Sequence, residues 1–171
     1  MRWVKSTRVV EPIIVTKSIK LALATLLLPV AALTVPSLVE AAGPSPVFKL
    51  RHDNFEAMGK AMKGTFDEFK KPTADVTAIQ ANANALAAAA VKVKGYFPKG
   101  TGPEAGEKTA ALPAIWERPA DFSAAADRLV GAAKGFQLAA ASGDLAKIKP
   151  AAGAVGASCK NCHDSFRKPQ S

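Results

Sequence analysis

Residues 144–166 read DLAKIKPAAGAVGASCKNCHDSF, and their apolar positions recur at the spacing of a helix that buries one face. The repeat runs through Leu145, Ile148, Ala152, Val155, Cys159, Cys162 and Phe166. This pattern predicts a helix near the C-terminus that carries both cysteines on its buried side.

Three segments upstream repeat their apolar residues in the same heptad-like way. The first opens at Ser45-Pro46, ends near Lys71-Pro72 and repeats at Phe48, Phe55, Met62 and Phe69, with Met58 between them. The second begins after Thr73, stops at Gly95 and repeats at Val76, Ile79, Ala83, Leu86, Ala90 and Val93. The third runs from about Pro119 to Ser142-Gly143 and repeats at Phe122, Ala125, Leu129, Ala132, Phe136 and Ala139. Because no segment reads as a strand and two of the three links are short, the sequence predicts an all-α, antiparallel up-down four-helix bundle.

The predicted seam is rich in alanine, which lets helices approach closely but buries little apolar area. Burying one aliphatic side chain contributes only about 1.5–3 kcal/mol, so a core of this size would gain from enclosing a large apolar cofactor. The long link at 96–118 contains PKGTGP at 98–103, which is too rich in glycine and proline for a helix. We expect this link to pack against an edge of such a cofactor.

The first 41 residues have the pattern of a cleaved signal peptide. Five basic residues within 1–20 precede an apolar run at 21–33, and Val39-Glu40-Ala41 offers a cleavage site after Ala41. The alternative is a retained membrane anchor, but the run is shorter than the ~20 apolar residues of a span and contains Pro29. We therefore expect residues 42–171 to form the mature domain, without membrane attachment, in the periplasm if the source is a diderm bacterium.

The charge of the predicted mature chain is moderately positive, with 18 basic and 12 acidic residues after Ala41. No Arg/Lys-rich run is interleaved with aromatic residues, so we expect no nucleic-acid partner. An acidic or anionic partner is compatible with this surface.

The motif that carries chemistry is Cys159-Lys160-Asn161-Cys162-His163. On a helix, two cysteines three residues apart project from one face at the spacing of the two haem vinyl groups, and the adjacent imidazole can reach the iron. A disulfide would close only a tiny loop, a thioredoxin-like pair lacks its βαβ context, and a zinc site needs four ligands although the only other histidine is His52. The motif therefore predicts one covalently bound haem c, with His163 as an axial iron ligand.

With this motif, two further stretches resemble the cytochrome c′ family of exported four-helix-bundle haem proteins. These are PAIW at 113–116, and Arg51 followed by Phe55 and Met58-Gly59. The resemblance extends over essentially all of 44–171 and implies that His163 is the fifth iron ligand and that Phe55 closes the distal side. Low-spin relatives have a methionine at the position of Phe55, and a phenyl ring has no lone pair to offer.

The resemblance therefore implies a five-coordinate, high-spin iron that admits small gases such as NO and CO. Met58 and His52 are the alternative sixth ligands, which would make the protein a low-spin electron carrier. Otherwise Met58 packs in the core or against the haem edge, and His52 hydrogen-bonds a propionate or lies in solvent.

Three more residues are candidates for the haem pocket. Arg51 lies one turn before Phe55 and either pairs with a haem propionate, as the family also shows, or is a surface residue. Arg167 lies four residues after His163 on the same helix face, where the family has a basic residue near the proximal pocket; the alternative is a solvated arginine favoured by the helix dipole. Thr101 lies in a Gly-Thr step that resembles the family's loop and is a further haem-contact candidate.

Two functions follow, a gas-binding protein that takes up NO and an electron carrier whose redox partner the sequence does not identify. An enzyme is not expected, because we find no second metal set, no paired carboxylates near His163 and no nucleophile with an attendant base. The family often forms homodimers through its first two helices. Val47, Leu50 and Phe66 are candidates for that face or for lesser core positions.

Overall fold

The computed structural model describes residues 45–169, so the predicted signal peptide lies outside the described residues. The chain forms α1 (Pro46–Glu68), α2 (Val76–Ala90), the single-turn α3 (Ala114–Glu117), α4 (Pro119–Ala141) and α5 (Leu145–Phe166). No strand is formed between residues 45 and 169, and the all-α prediction is confirmed. None of the helices in this range combines the length and the hydropathy needed to cross a membrane.

Short polar residues and one glycine define the helix ends. The carboxylate of Asp75 accepts the backbone N–H of Ala78 at 3.1 Å, and that of Asp144 accepts the N–H of Ala146 at 2.9 Å, so both act as N-caps. Gly143 ends the turn between α4 and α5 with a φ of 71°, a conformation that costs a glycine little. The last predicted turns of the second helix are instead a separate 3₁₀ turn at Val93–Tyr96.

Successive long helices pack antiparallel: α1 on α2, α2 on α4, and α4 on α5. The pairs that show these directions are Asn54–Ala89 and Gly64–Asn82, Gln80–Ala140 and Asn84–Gln137, and Phe122–Phe166. α1 and α5, which carry the predicted distal residue and the cysteines, meet only sparsely.

The predicted seams of α2, α4 and α5 largely form the core. The buried members are Ile79, Ala83, Leu86, Ala90, Val93, Phe122, Ala125, Leu129, Phe136, Ile148, Ala152, Val155 and Phe166. On α4, Ala133 and Ala140 are buried in place of the predicted Ala132 and Ala139, which are only partly covered.

The predicted seam of α1 is confirmed at Phe48 and Met58 and wrong at its other positions. Phe55, Met62 and Phe69 are only partly buried, whereas the buried stripe includes Arg51, Asn54, Thr65 and Glu68. A strict seven-residue repeat drifts around a helix of 3.6 residues per turn, so it marked the edge of the packed face. The buried polar groups have partners: Asn54 Nδ2 donates to Ala89 O at 3.2 Å, and Glu68 accepts the N–H of Asp75 at 3.0 Å.

The link between α2 and α4 is irregular, but hydrogen bonds hold it in place. Trp116 Nε1 donates to the carbonyls of Phe97 (3.2 Å) and Pro98 (2.9 Å). An isolated antiparallel bridge joins Ala111 to Arg167, which fixes the link to the end of α5. As predicted, PKGTGP is not α-helical; it lies ahead of a 3₁₀ turn at Pro103–Ala105.

Candidate functional site

The two cysteines lie on the face of α5 that contacts the apolar core. Both are partly buried against the core, and their thiols are not bonded to each other. Burial raises the pKa of both thiols, and for Cys162 the positive charge of Arg128 on α4 opposes this rise. Both cysteines therefore present protonated thiols on one helix face, which is the arrangement that thioether attachment of a porphyrin requires.

His163 follows the second cysteine and is exposed on the adjoining face of α5. Desolvation and the charge of Arg167 lower the pKa of the imidazole, whereas Asp164 raises it. The lowered pKa favours the neutral ring, which is the form that ligates a metal. Arg167 is held near by its own backbone N–H, which donates to His163 O at 3.1 Å.

An aromatic cluster lies in the core beside the cysteines, and its central residue is Phe97. The Phe97 ring meets Phe122 at 4.9 Å, Phe55 at 6.1 Å and Trp116 at 6.1 Å between ring centroids, and Phe122 meets Phe166 at 5.4 Å. Sequence reasoning missed Phe97, although an aromatic residue directly before a Pro/Gly-rich link was an available signal.

Phe55 and Met58 on α1 belong to the same apolar cluster as Cys159 and Cys162. Met58 is the more deeply buried of the two, with 6% of its surface exposed, while Phe55 is only partly covered. The predicted distal residue, the alternative thioether ligand and both thiols therefore all pack on the apolar core of the bundle.

Arg51 is buried, with 6% of its surface exposed, so it is not the surface residue that sequence reasoning had kept as an alternative. Its guanidinium donates to Tyr96 O at 2.9 Å, Thr101 O at 3.1 Å and Thr101 Oγ1 at 2.7 Å. It also lies over the rings of Phe48 and Phe97, 4.8 and 4.2 Å from their centroids. Burial lowers the pKa of Arg51. Arg51 and Thr101, proposed separately from the sequence, therefore form one unit.

His52 lies apart from this group. Its side chain is 77% exposed, and Nε2 is 3.9 Å from the carboxylate of Glu56 in the next turn. His52 therefore lies in solvent, which is one of the two positions that the sequence analysis considered for it. An imidazole on this face of α1 gives little support for a sixth iron ligand or a propionate contact.

A cleft of about 250 Å³ opens beside the aromatic cluster. Its apolar lining includes Phe97, Ile115, Trp116 and Phe122, and Lys94 and Lys99 lie at its edge. Small-molecule pockets usually measure about 300–1,000 Å³, so this cleft would hold only part of a porphyrin. Neither the cysteines nor His163 line this cleft, and the Lys94 ammonium at its edge already pairs with Asp127 at 2.6 Å.

The residues present fit a covalently attached haem. Two thiols face an apolar cluster, an imidazole follows them, and the helix opposite, α1, is only sparsely packed on α5. Ser158 Oγ, next to Cys159, is buried without a hydrogen-bond partner among the described residues, and a bound group can satisfy such an atom. Among residues 45–169, no group of three His, Cys, Asp or Glu side chains is placed to hold a metal ion by itself.

Comparisons with known proteins identify one family, and two of the curated relatives have the name cytochrome c-554. The family model of cytochrome c′ matches residues 46–167. The chain is 32% identical over 127 residues to the cytochrome c′ of Pararhodospirillum photometricum, a match that covers 74% of this chain and all of that one. A match to the cytochrome c′ of Rubrivivax gelatinosus has 44% identity over 69 residues, 40% of this chain, and spans only 54% of that relative.

Solved structures of the same family have the same fold. The cytochrome c′ of Thermochromatium tepidum aligns with a TM-score of 0.67 and 28% identity, over 75% of this chain and 100% of that one. A nitric oxide complex of a single-site mutant of cytochrome c prime from Alcaligenes xylosoxidans aligns with a TM-score of 0.63 and 30% identity, over 72% and 94%. A cytochrome c′ with ligand-controlled dimer dissociation aligns with a TM-score of 0.66 and 30% identity, over 75% and 100%.

Proposed function

The chain belongs to the cytochrome c′ family, and we propose that it is a periplasmic monohaem protein that carries electrons and binds NO and CO at a five-coordinate iron. The observation that carries the proposal is that Cys159 and Cys162 pack against the same apolar core as Phe55, with His163 next to them on α5. As in its family, the cofactor is covalently bound haem c. This group supplies an iron that exchanges one electron and has a coordination position for a small ligand.

Different residues of the chain form the two sides of the haem site. Cys159 and Cys162 would hold the porphyrin through thioethers, and His163, exposed beside them, would supply a nitrogen ligand to the iron. Phe55, packed edge-on against Phe97, presents an apolar ring without lone pairs on the other side. An apolar wall of this kind disfavours charged ligands, which would lose their hydration there. The nitric oxide complex of the Alcaligenes xylosoxidans relative supports the extension to this chain.

A second candidate function is supported by the burial of Met58. Its thioether is buried in the core on which the cysteines pack, and a thioether sulfur can ligate haem iron, so Met58 is the candidate sixth ligand. The protein would then be a six-coordinate, low-spin electron carrier with little affinity for gases. His52, exposed beside Glu56, is a weaker candidate for this role.

Export and assembly follow from other parts of the chain. The signal-peptide pattern of residues 1–41 supports periplasmic maturation, where haem c is attached. Leu50 and Phe66 on α1 expose 51% and 41% of their surfaces, which supports a homodimer through this helix. Ligand-controlled dimer dissociation in one relative suggests that gas binding and assembly are connected. We propose no catalysed reaction.

The test is the visible spectrum of the purified holoprotein, ferric and dithionite-reduced, with and without CO, in the wild type and in Met58→Leu. We expect a broad, high-spin ferrous Soret band that sharpens with CO, and the same spectra for Met58→Leu. A low-spin spectrum that ignores CO, and becomes high-spin only in Met58→Leu, would establish the second candidate instead. His52→Ala serves as the corresponding control for the imidazole.

A further inference from the structure

The end of α5 is paired with the long link that precedes α4. Residues 110–112 of the link and residues 166–168 form a short antiparallel pairing, which we call the terminal bridge. Its two backbone hydrogen bonds run from Leu112 N to Phe166 O (3.0 Å) and from Lys168 N to Ala110 O (2.8 Å).

The link side of the terminal bridge is itself fixed in the fold. Ala111 is buried, and its backbone N–H donates to Thr109 Oγ1 at 3.1 Å. α3, which begins shortly after the bridge, packs on both α4 and α5. The bridge therefore attaches the end of α5 to a supported segment.

The terminal bridge stabilises the backbone turn that carries His163. Phe166 O is one of the last four carbonyls of α5, which have no partner inside a helix and leave its end prone to fraying. In the same turn, the N–H of Arg167 donates to His163 O at 3.1 Å. The turn at 163–167 is therefore closed twice, once within the helix and once across the bridge.

The side chain of Phe166 fixes the same turn from the core. Only 5% of its surface is exposed. Its ring meets that of Phe122 edge-on at 5.4 Å between centroids, and the Arg118 guanidinium lies 5.2 Å from its ring centre. Residues three apart are neighbours on a helix, so a Phe166 ring held in the core restricts rotation of the turn that carries His163.

The imidazole of His163 depends on this backbone for its orientation. A histidine that ligates a metal is ordinarily oriented by a hydrogen bond from its other ring nitrogen. Within residues 45–169 no side chain or carbonyl makes such a bond to His163, and the adjacent Asp164 carboxylate is bound to Lys160 at 2.6 Å. The position of the ring is therefore set by the turn itself.

We propose that the terminal bridge and Phe166 are positioning elements for His163, which hold the last turn of α5 so that the imidazole keeps a fixed distance and angle to the haem iron. This inference rests on the proposed role of His163 as axial ligand. It adds residues that do not touch the haem iron but determine how the ligand meets it.

The first test variant is Lys168→Pro, which removes the N–H that donates to Ala110 O. Arg167, with a φ of −126° and a ψ of 138°, already has the backbone conformation of a residue that precedes a proline. The matched control is Lys168→Gln, which loses the same charge but keeps the N–H.

The second test variant is Phe166→Leu, which removes the ring that packs on Phe122. Its control is Phe136→Leu, the same substitution at a buried position of α4 about four turns from Phe122. Urea unfolding of both variants measures how much stability each loses, so that a general loosening of the core is distinguished from a local effect.

Two measurements are made on the holoproteins. The first is hydrogen exchange of the Arg167 and Leu112 amides, followed by NMR on the reduced protein under CO, which is diamagnetic whether CO or Met58 completes the coordination of the iron. The second is the iron–histidine stretching band in the resonance Raman spectrum of the reduced protein without CO, which reports on the bond to His163 directly.

We expect both amides to exchange at least about fivefold faster in Lys168→Pro and Phe166→Leu than in the wild type, as for the loss of one backbone hydrogen bond from a local opening equilibrium. The iron–histidine band should shift or broaden in the same two variants. In Lys168→Gln and Phe136→Leu the exchange rates should change by less than about twofold, and the band should stay as in the wild type.

Faster exchange with an unchanged iron–histidine band would overturn the proposal, because the bridge would then close the helix end without positioning the imidazole. Unchanged exchange in Lys168→Pro would also overturn it, as would a band shift of equal size in Phe136→Leu. A wild-type reduced protein without an iron–histidine band would instead refute the proposed five-coordinate iron, and the exchange rates would still decide whether the bridge holds the turn.

Discussion

Replacing Arg51 by methionine should destabilise the holoprotein by about 2–4 kcal/mol, because this buried guanidinium connects α1 to the long link. It donates three hydrogen bonds, of 2.9, 3.1 and 2.7 Å, to Tyr96 and Thr101. Methionine can retain part of the packing against the Phe97 ring but none of the hydrogen bonds.

The magnitude follows from terms of opposite sign. Hydrogen bonds from a charged donor contribute about 1.5–3 kcal/mol each, and three bonds from one group are not additive. Removing the donor also leaves the Thr101 hydroxyl short of one partner, although Thr101 Oγ1 still donates to Pro98 O at 2.7 Å. Against this, methionine needs no desolvation of a charge, and that cost of burying Arg51 is evident in its lowered pKa. The melting temperature should fall by roughly 8–16 °C.

The assay is a double-mutant cycle on urea and thermal unfolding, followed by circular dichroism. Thr101→Val alone should cost about 1 kcal/mol, and the double variant should show a coupling energy of about 1–2 kcal/mol. The control is Lys49→Met, which removes an exposed pair with Asp53 on the same helix and should change stability by no more than about 0.5 kcal/mol.

Additive effects of Arg51→Met and Thr101→Val would refute the reasoning, because the two residues would then not act as a unit. If a haem propionate were the main partner of Arg51, the variants would give a different set of stability changes. Thr101→Val would then have little effect, and Arg51→Met would shift the reduction potential of the holoprotein more than its stability.

Three further predictions concern attachment, access and acid stability. Cys162→Ser should abolish two-thioether attachment, which the pyridine haemochrome spectrum detects; an unchanged spectrum would contradict the role of Cys162. Phe55→Ala should speed CO association at least about tenfold in flash photolysis, and unchanged kinetics would mean that this ring is not the barrier. Hydrogen bonds from Lys63 and Lys70 lower the pKa of Asp67 to about 2. The ionised carboxylate therefore contributes fully to the free energy of unfolding above the ordinary aspartate pKa of about 4, and this contribution is lost as the pH falls from about 4 through 2. The stability difference between wild type and Asp67→Asn should shrink over that window, and a constant difference would refute the pairing.

The order of the four long helices and several of their ends were predictable because the signals are local. Pro46 and Pro119 begin α1 and α4, and Gly143 separates α4 from α5, as the sequence indicated. The seams of α2, α4 and α5 were predictable because they contain almost only apolar residues, so burial follows from periodicity.

The inner face of α1 was not predictable in the same way. Its buried positions include Arg51, Asn54 and Glu68, whose partners lie on the link, on α2 and in the turn before α2. A polar residue reads as exposed until a distant group satisfies it, and that group is set by tertiary packing. The importance of Phe97 was missed for the same reason, because a lone aromatic residue in a link has no periodicity to mark it.

The helix packing argues that the cofactor is a structural part of this bundle. α2, α4 and α5 approach one another through small buried residues such as Ala83, Ala133 and Ala152. α1 instead carries Phe55 and Met58 toward the core and meets α5 only sparsely, although the first and last helices of an up-down bundle are ordinarily neighbours. A haem joined to α5 by two thioethers would add to the apolar surface on which this side of α1 packs. The attachment motif on α5 and the large apolar residues on α1 are therefore two parts of one packing arrangement, and each is explained by the other.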